Sequence, residues 1–149
     1  MCIAHRRCVA AILLACTVQP ATLAAAEMAL SQVMQAQGRT MQRIAGAIAR
    51  EDYEAVAQGA AAVIDPPRPA APLAEKFALM RFLGADIGRF RALDGETKER
   101  ATTLAKAARA RDGEATIEAF RRLQTSCLAC HADFRAPFRK HFNLQEGES

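Results

Sequence analysis

After Glu27 the chain contains no run of alternating β-branched residues; apolar side chains return instead every third or fourth position. That spacing marks amphipathic helices, whereas a half-buried strand would need strict alternation. Ala, Leu, Glu, Arg, Gln and Met, all good helix formers, dominate the composition. From Met28 to Arg50 the residues Leu30, Met34, Met41, Ile44 and Ile48 form one stripe on a helix about 30 Å long. A second helix runs from Asp52 to Ile64 with Tyr53, Val56, Ala57, Ala60 and Val63 inward, and "DPPRPAAP" at 65–72 stops it because prolines cannot continue the hydrogen-bond ladder. Between Leu73 and Arg91 the residues Phe77, Met80, Leu83, Ile87 and Phe90 recur at helical spacing, although Gly84 and Gly88 weaken the pattern. Asp94-Gly95 reads as a turn or break, and "ETKERATTLAKAARARD" at 96–112 as a further helix ended by Asp112-Gly113. The pattern leaves open whether 84–111 is one interrupted helix or two pieces. The last helix starts near Glu114, carries Ile117, Phe120, Leu123, Cys127, Cys130, His131 and Phe134 on one face, and is expected to stop at Ala136, since Pro137 biases its predecessor away from helical geometry. The expected fold is all-α, an antiparallel four-helix bundle, and 149 residues suit a single domain.

The first 26 residues follow different rules. "MCIAHRR" is basic, "CVAAILLACTV" apolar, and "QPATLAAA" rich in small residues, which is the layout of a secretory signal peptide cleaved between Ala26 and Glu27. The apolar run is too short to span a membrane, which takes about 20 residues. A competing reading takes "LLAC" at 13–16 as a lipoprotein box with Cys16 as the lipidated residue, but Leu14 is bulky for such a box and Ala24 and Ala26 fit the longer leader. Cleavage at Ala26 removes Cys2, Cys8 and Cys16, so of five cysteines only Cys127 and Cys130 stay with the 27–149 domain. No disulfide framework holds such a chain. Arg6 and Arg7 leave with the leader, lowering the formal charge from +4 to +2 and excluding the basic footprint of a nucleic-acid binder.

Those two cysteines lie in "CLACH" at 127–131. A thioredoxin-like dithiol would sit at a helix start after a strand, not deep in a helix of an all-helical chain. A structural zinc site needs four ligands, and only His141 remains as another soft donor. Covalent attachment of haem c explains every position: the thiols of Cys127 and Cys130, one helical turn apart, become thioethers on one edge of the macrocycle, and His131 is held under the iron as proximal axial ligand. Export agrees with this chemistry, which belongs to the periplasmic side.

With "CLACHADFR" near the C-terminus of an exported four-helix chain, the sequence resembles the cytochrome c-prime family, and most closely its low-spin cytochrome c-556 type. Most c-type cytochromes carry the motif near the N-terminus, whereas this family has it in the last helix, followed by the aromatic and the arginine that stand here as Phe134 and Arg135. The resemblance implies that the first helix covers the distal face of the iron, with an apolar side chain in ordinary members and a methionine ligand in the c-556 type. "VMQAQGRTM" at 33–41 is similar to the latter and points to Met34 as distal axial ligand. Counting back from Gly46 instead puts Gln35 at that place, and Met41 and Met28 are the other candidates on the helix. The family's basic residue one turn before the distal position is Leu30 here, so the propionate partner is unassigned. Arg39 is a candidate for it, beside the plainer reading of a solvated arginine. Phe120 and Phe134 are candidate haem neighbours that core packing explains equally well, and His141 is expected to be exposed.

The resemblance thus implies an iron bound by His131 and Met34. A soft thioether favours ferrous iron and occupies the place of a gaseous ligand, so the chain is read as a mono-haem one-electron carrier and not an enzyme. Its partners would be redox proteins of the periplasm; it would not span a membrane, and relatives often pair through their first two helices. The alternative is a five-coordinate protein that binds NO or CO, or scavenges NO, with Met34 only covering the distal face. Two propionates would cancel the +2 and leave the holoprotein only weakly steered as a whole.

Overall fold

The computed structural model describes residues 29–144. The expected leader at 1–26, the Cys16 alternative and Met28 lie outside the described residues. Helices α1 (Ala29–Ala49), α2 (Tyr53–Ile64), α3 (Leu73–Leu83), α4 (Ile87–Arg109) and α5 (Gly113–His141) follow in order, with a single 3-10 turn, Gly84–Asp86, between α3 and α4. No strand occurs among the described residues, and α1, α2, α4 and α5 make the expected antiparallel four-helix bundle.

The α1–α2 and α4–α5 connections are built alike. Glu51 (φ 56°) and Arg111 (φ 55°) take the left-handed conformation just past their helices. Their N–H groups donate to Ile48 and Ala108 three residues back, and the next N–H groups, of Asp52 and Asp112, donate to Ala47 and Ala107 five back. These paired bonds satisfy the last carbonyls of one helix. Each aspartate then caps the next helix, its carboxylate accepting from the N–H of Ala55 at 3.0 Å or Ala115 at 2.9 Å. The two turns meet: the Arg111 guanidinium lies 5.8 Å from the Tyr53 ring centroid, and a Cβ on Gly113 would come 3.0 Å from the Tyr53 hydroxyl. Both turns therefore share one end of the bundle, and α1 and α4 run toward it while α2 and α5 run away.

The core fills the half nearest that end. Ile44, Val56, Leu104 and Leu123 are fully buried among alanines of α1, α2, α4 and α5. Small side chains let the helices approach closely, and at Gly59 a Cβ would fall 2.5 Å from Ile44 Cγ1. Met41 and Phe120 pack against this core. Beyond Val63 the helices separate, and α1 scarcely touches α5.

Three local expectations fail. The chain does not turn at Asp94-Gly95: α4 runs straight through, with Asp94–Lys98 (2.6 Å) and Glu96–Arg100 (3.2 Å) pairs one turn apart along it. The break comes at Gly84, whose φ of 46° favours glycine. It resets the helical phase, so Phe77 and Met80, expected inward with Leu83, face outward, while Leu79 and Phe82 turn in. Nor does α5 stop before Pro137. It continues one turn to His141 because Phe138, His141 and Phe142 gather around Phe82, with ring centroids 5.7, 5.2 and 5.7 Å from it. The helix closes on Asn143 (φ 51°), with Leu144 N–H donating to the Arg139 carbonyl. Packing of these rings outweighs the local bias of one proline.

Candidate functional site

Where α1 and α5 part, they border a cavity of about 1090 Å³, just above the ~300–1,000 Å³ range of small-molecule sites. One wall is α5: Cys127, Cys130, His131, Phe134 and Arg135 all line the space, three or four residues apart on one helical face. The facing wall is α1, with Leu30, Ser31, Met34, Gln35 and Gly38. Helix α4 closes the back with Phe90, Asp94, Thr97 and Lys98, and α3 closes the end with Leu79, Phe82 and Leu83.

Cys127 and Cys130 form no disulfide with each other. Three residues apart on a helix their Cβ atoms stand about 5–6 Å apart, beyond the ~3.5–4.5 Å a disulfide needs. Burial pushes both thiols up, and the carboxylates of Asp94 and Asp133 push Cys130 further. Reactive redox cysteines have depressed values, so this microenvironment disfavours dithiol chemistry. His131 is shifted the other way, downward, by burial first and then by the nearby Arg135 cation. The neutral imidazole that results is the form that binds a metal. A neighbouring tie holds this turn of α5 to α4: Arg89 donates from Nε (2.7 Å) and Nη2 (2.6 Å) to one carboxylate oxygen of Asp133.

Phe134 meets Phe90 edge-to-face at 5.4 Å on the cavity wall. Met34, 41 % exposed, stands across the space from the "CLACH" face, and a Cβ on Gly38, one turn further along α1, would meet nothing within 4 Å. Gln35 also lines the cavity. Arg39 and Phe120 do not line it: Arg39 is exposed on α1, and Phe120 lies with the core nearer the turns. Met41 belongs to that core too, and His141 is exposed at the end of α5, stacked on Phe82. Asp94, Thr97 and Lys98 escaped the sequence reading because a turn was expected at Asp94. Counting four, seven and eight residues on from Phe90 would have found them. Phe138 and Arg139 escaped because the helix was expected to end before Pro137, although Phe138 continues the spacing from Phe134.

Two thiols and an imidazole on one wall, a thioether on the other and an apolar space between them fit a covalently held haem. Residues 85–135, from the 3-10 turn through "CLACH" to the arginine that follows it, match the family model described as Cytochrome C'. No curated protein and no solved structure matches the chain. That family binds covalently attached haem c, and over these residues the chain reads as a c-type cytochrome with haem c as its cofactor.

Proposed function

We propose that this chain is an exported, periplasmic one-electron carrier of the low-spin c-556 kind, with its haem linked through Cys127 and Cys130 and its iron bound by His131 and Met34. One observation carries the reading: Met34 is the thioether on the α1 wall of the same cavity whose α5 wall presents both cysteines and the histidine. The bound haem supplies reversible one-electron chemistry at iron. The chain's own residues hold and tune it. Cys127 and Cys130 fix one edge, His131 arrives neutral, and Phe90 and Phe134 keep water from the space beside them. Met34 would supply a soft thioether that favours ferrous iron and would take the place of a gaseous ligand.

Optical spectra of the holoprotein, ferric and ferrous, with and without CO, test this. A far-red sulfur-to-iron band in the ferric state and no response to CO are expected, and Met34→Ala should convert the protein to a high-spin, CO-binding form. High-spin wild-type spectra with rapid CO binding would overturn the carrier reading in favour of a gas-binding protein. Low-spin spectra untouched in Met34→Ala would overturn the ligand assignment. N-terminal sequencing of the exported protein should begin at Glu27; a lipidated Cys16 would replace the soluble periplasmic protein by an anchored one.

A further inference from the structure

Helix α3 is apolar on two opposite sides. At 100° per residue, Leu79 and Phe82 fall on the side that lines the cavity, while Leu73, Phe77 and Met80 fall opposite and are 67, 56 and 56 % exposed. A helix with apolar residues all round ordinarily has partners all round. Among the described residues nothing covers the outer stripe. Lys76 edges it on one flank and Arg81 on the other. The acid of this helix, Glu75, lies on the inner side, where its Oε1 accepts from the Ala29 N–H at 2.6 Å. The outer face is therefore an apolar strip between two cations with no acid on it.

We propose, resting on the carrier reading above, that this face docks an acidic redox protein whose contact surface has an apolar centre. Charge complementarity selects the occupant. Two copies joined through this face would bring Lys76 and Arg81 against their own kind with no carboxylate to meet them. An anionic membrane gains only about 1 kcal/mol per cation, and three apolar side chains do not add a second anchoring signal. A small apolar strip with a charged rim suits a transient electron-transfer contact, which buries less than ~1,200 Å². Position agrees: a partner on the outer face is separated from the cavity by one helix, about 10 Å across. The steering is local, since the formal charge of the whole 27–149 domain is only +2.

The test uses the ferric holoprotein and flavodoxin, an acidic one-electron protein, followed by stopped flow. The anionic flavin hydroquinone gives one electron to ferric iron and becomes the neutral semiquinone, with no proton released. Lys76→Glu/Arg81→Glu should slow the second-order rate by about tenfold or more and flatten its ionic-strength dependence. Phe77→Ser should slow it by about fivefold at every salt concentration. Both variants change exposed positions, and unchanged optical spectra and thermal midpoints verify that the haem site is intact. Wild-type rates in both variants would overturn the docking face while leaving the carrier reading standing. A wild-type dimer in sedimentation velocity that Phe77→Ser dissociates would overturn it in favour of a second copy. Binding to phosphatidylglycerol vesicles that the charge reversal abolishes would overturn it in favour of a membrane surface. A high-spin, CO-binding holoprotein would remove the carrier reading and this inference with it.

Discussion

The two ends of the bundle are built by opposite rules. At the turn end, alanines and one glycine bring four helices together over fully buried Ile44, Leu104 and Leu123, and two identically bonded turns satisfy the helix ends. At the cavity end, the same α1 and α5 stand apart, lined by sulfur, imidazole, aromatic rings and an Asp94–Lys98 ion pair. Close packing at one end holds the helices in register, so the other end can keep a space that a covalently held group fills. Stability and chemistry are thereby divided along the length of each helix.

Substitutions at the two ends should separate these roles. Leu104→Ala, at the sealed end, should cost about 2–5 kcal/mol in denaturant unfolding, with the haem spectra unchanged. If it shifts the spectra as strongly as Met34→Ala does, the division is wrong. The two glycines give a signed contrast. Gly59→Ala puts a Cβ 2.5 Å from Ile44 Cγ1 and should destabilise by about 1–3 kcal/mol. Gly38→Ala meets nothing within 4 Å and, measured on the chain before haem attachment, should gain up to about 1 kcal/mol from helix propensity. Equal losses at both positions would mean that α1 is as tightly packed near Met34 as near Ile44.

The paired turns allow a finer comparison. Glu51→Gly relieves a left-handed side chain and should raise stability by about 0.5–1 kcal/mol. Arg111→Gly should gain less, because it also removes the guanidinium from the Tyr53 ring, a contact worth about 0.5 kcal/mol at an exposed site. Thermal midpoints of the two variants measure the difference. The smallest effect belongs to Glu118 at the surface of α5, held down to about 2 by hydrogen bonds from Arg121 and then Arg122. Its folded value lies below its unfolded one, so the stability it adds is present above about 4.5 and is lost as pH falls toward 2. NMR titration of its carboxyl carbon should show that midpoint, and Arg121→Ala should move it upward.

Much of the bundle was legible before any coordinates. Spacing alone located α1, α2 and the start of α5, since each has a stripe that its own 3.6-residue repeat keeps on one side. "CLACH" located one wall of the cavity, because two thiols and an imidazole at that spacing share a helical face. Met34 reached the opposite wall only through a resemblance; its spacing equally suited the core, where Met41, seven residues on, is found. Phe120 shows the same ambiguity resolved the other way. It lies on the spacing of Cys127 and Phe134 yet belongs to the packed half, because a stripe gives a direction around the helix and not a height along the bundle.

The sequence by itself determined that the chain is helical, where the turns between α1 and α2 and between α4 and α5 fall, and that Cys127, Cys130 and His131 share one helical face, because these follow from interactions within a few residues. Tertiary structure decided the rest. It carried α5 past Pro137 by packing rings from α3 and α5, carried α4 through Asp94-Gly95, and turned Phe77 and Met80 outward after a phase reset at Gly84. The physical reason is common to the first two: a local preference of about 1–3 kcal/mol for breaking a helix yields when several side chains on separate elements gain more by its continuing; at Gly84 the break stands, because glycine takes the positive φ there without strain.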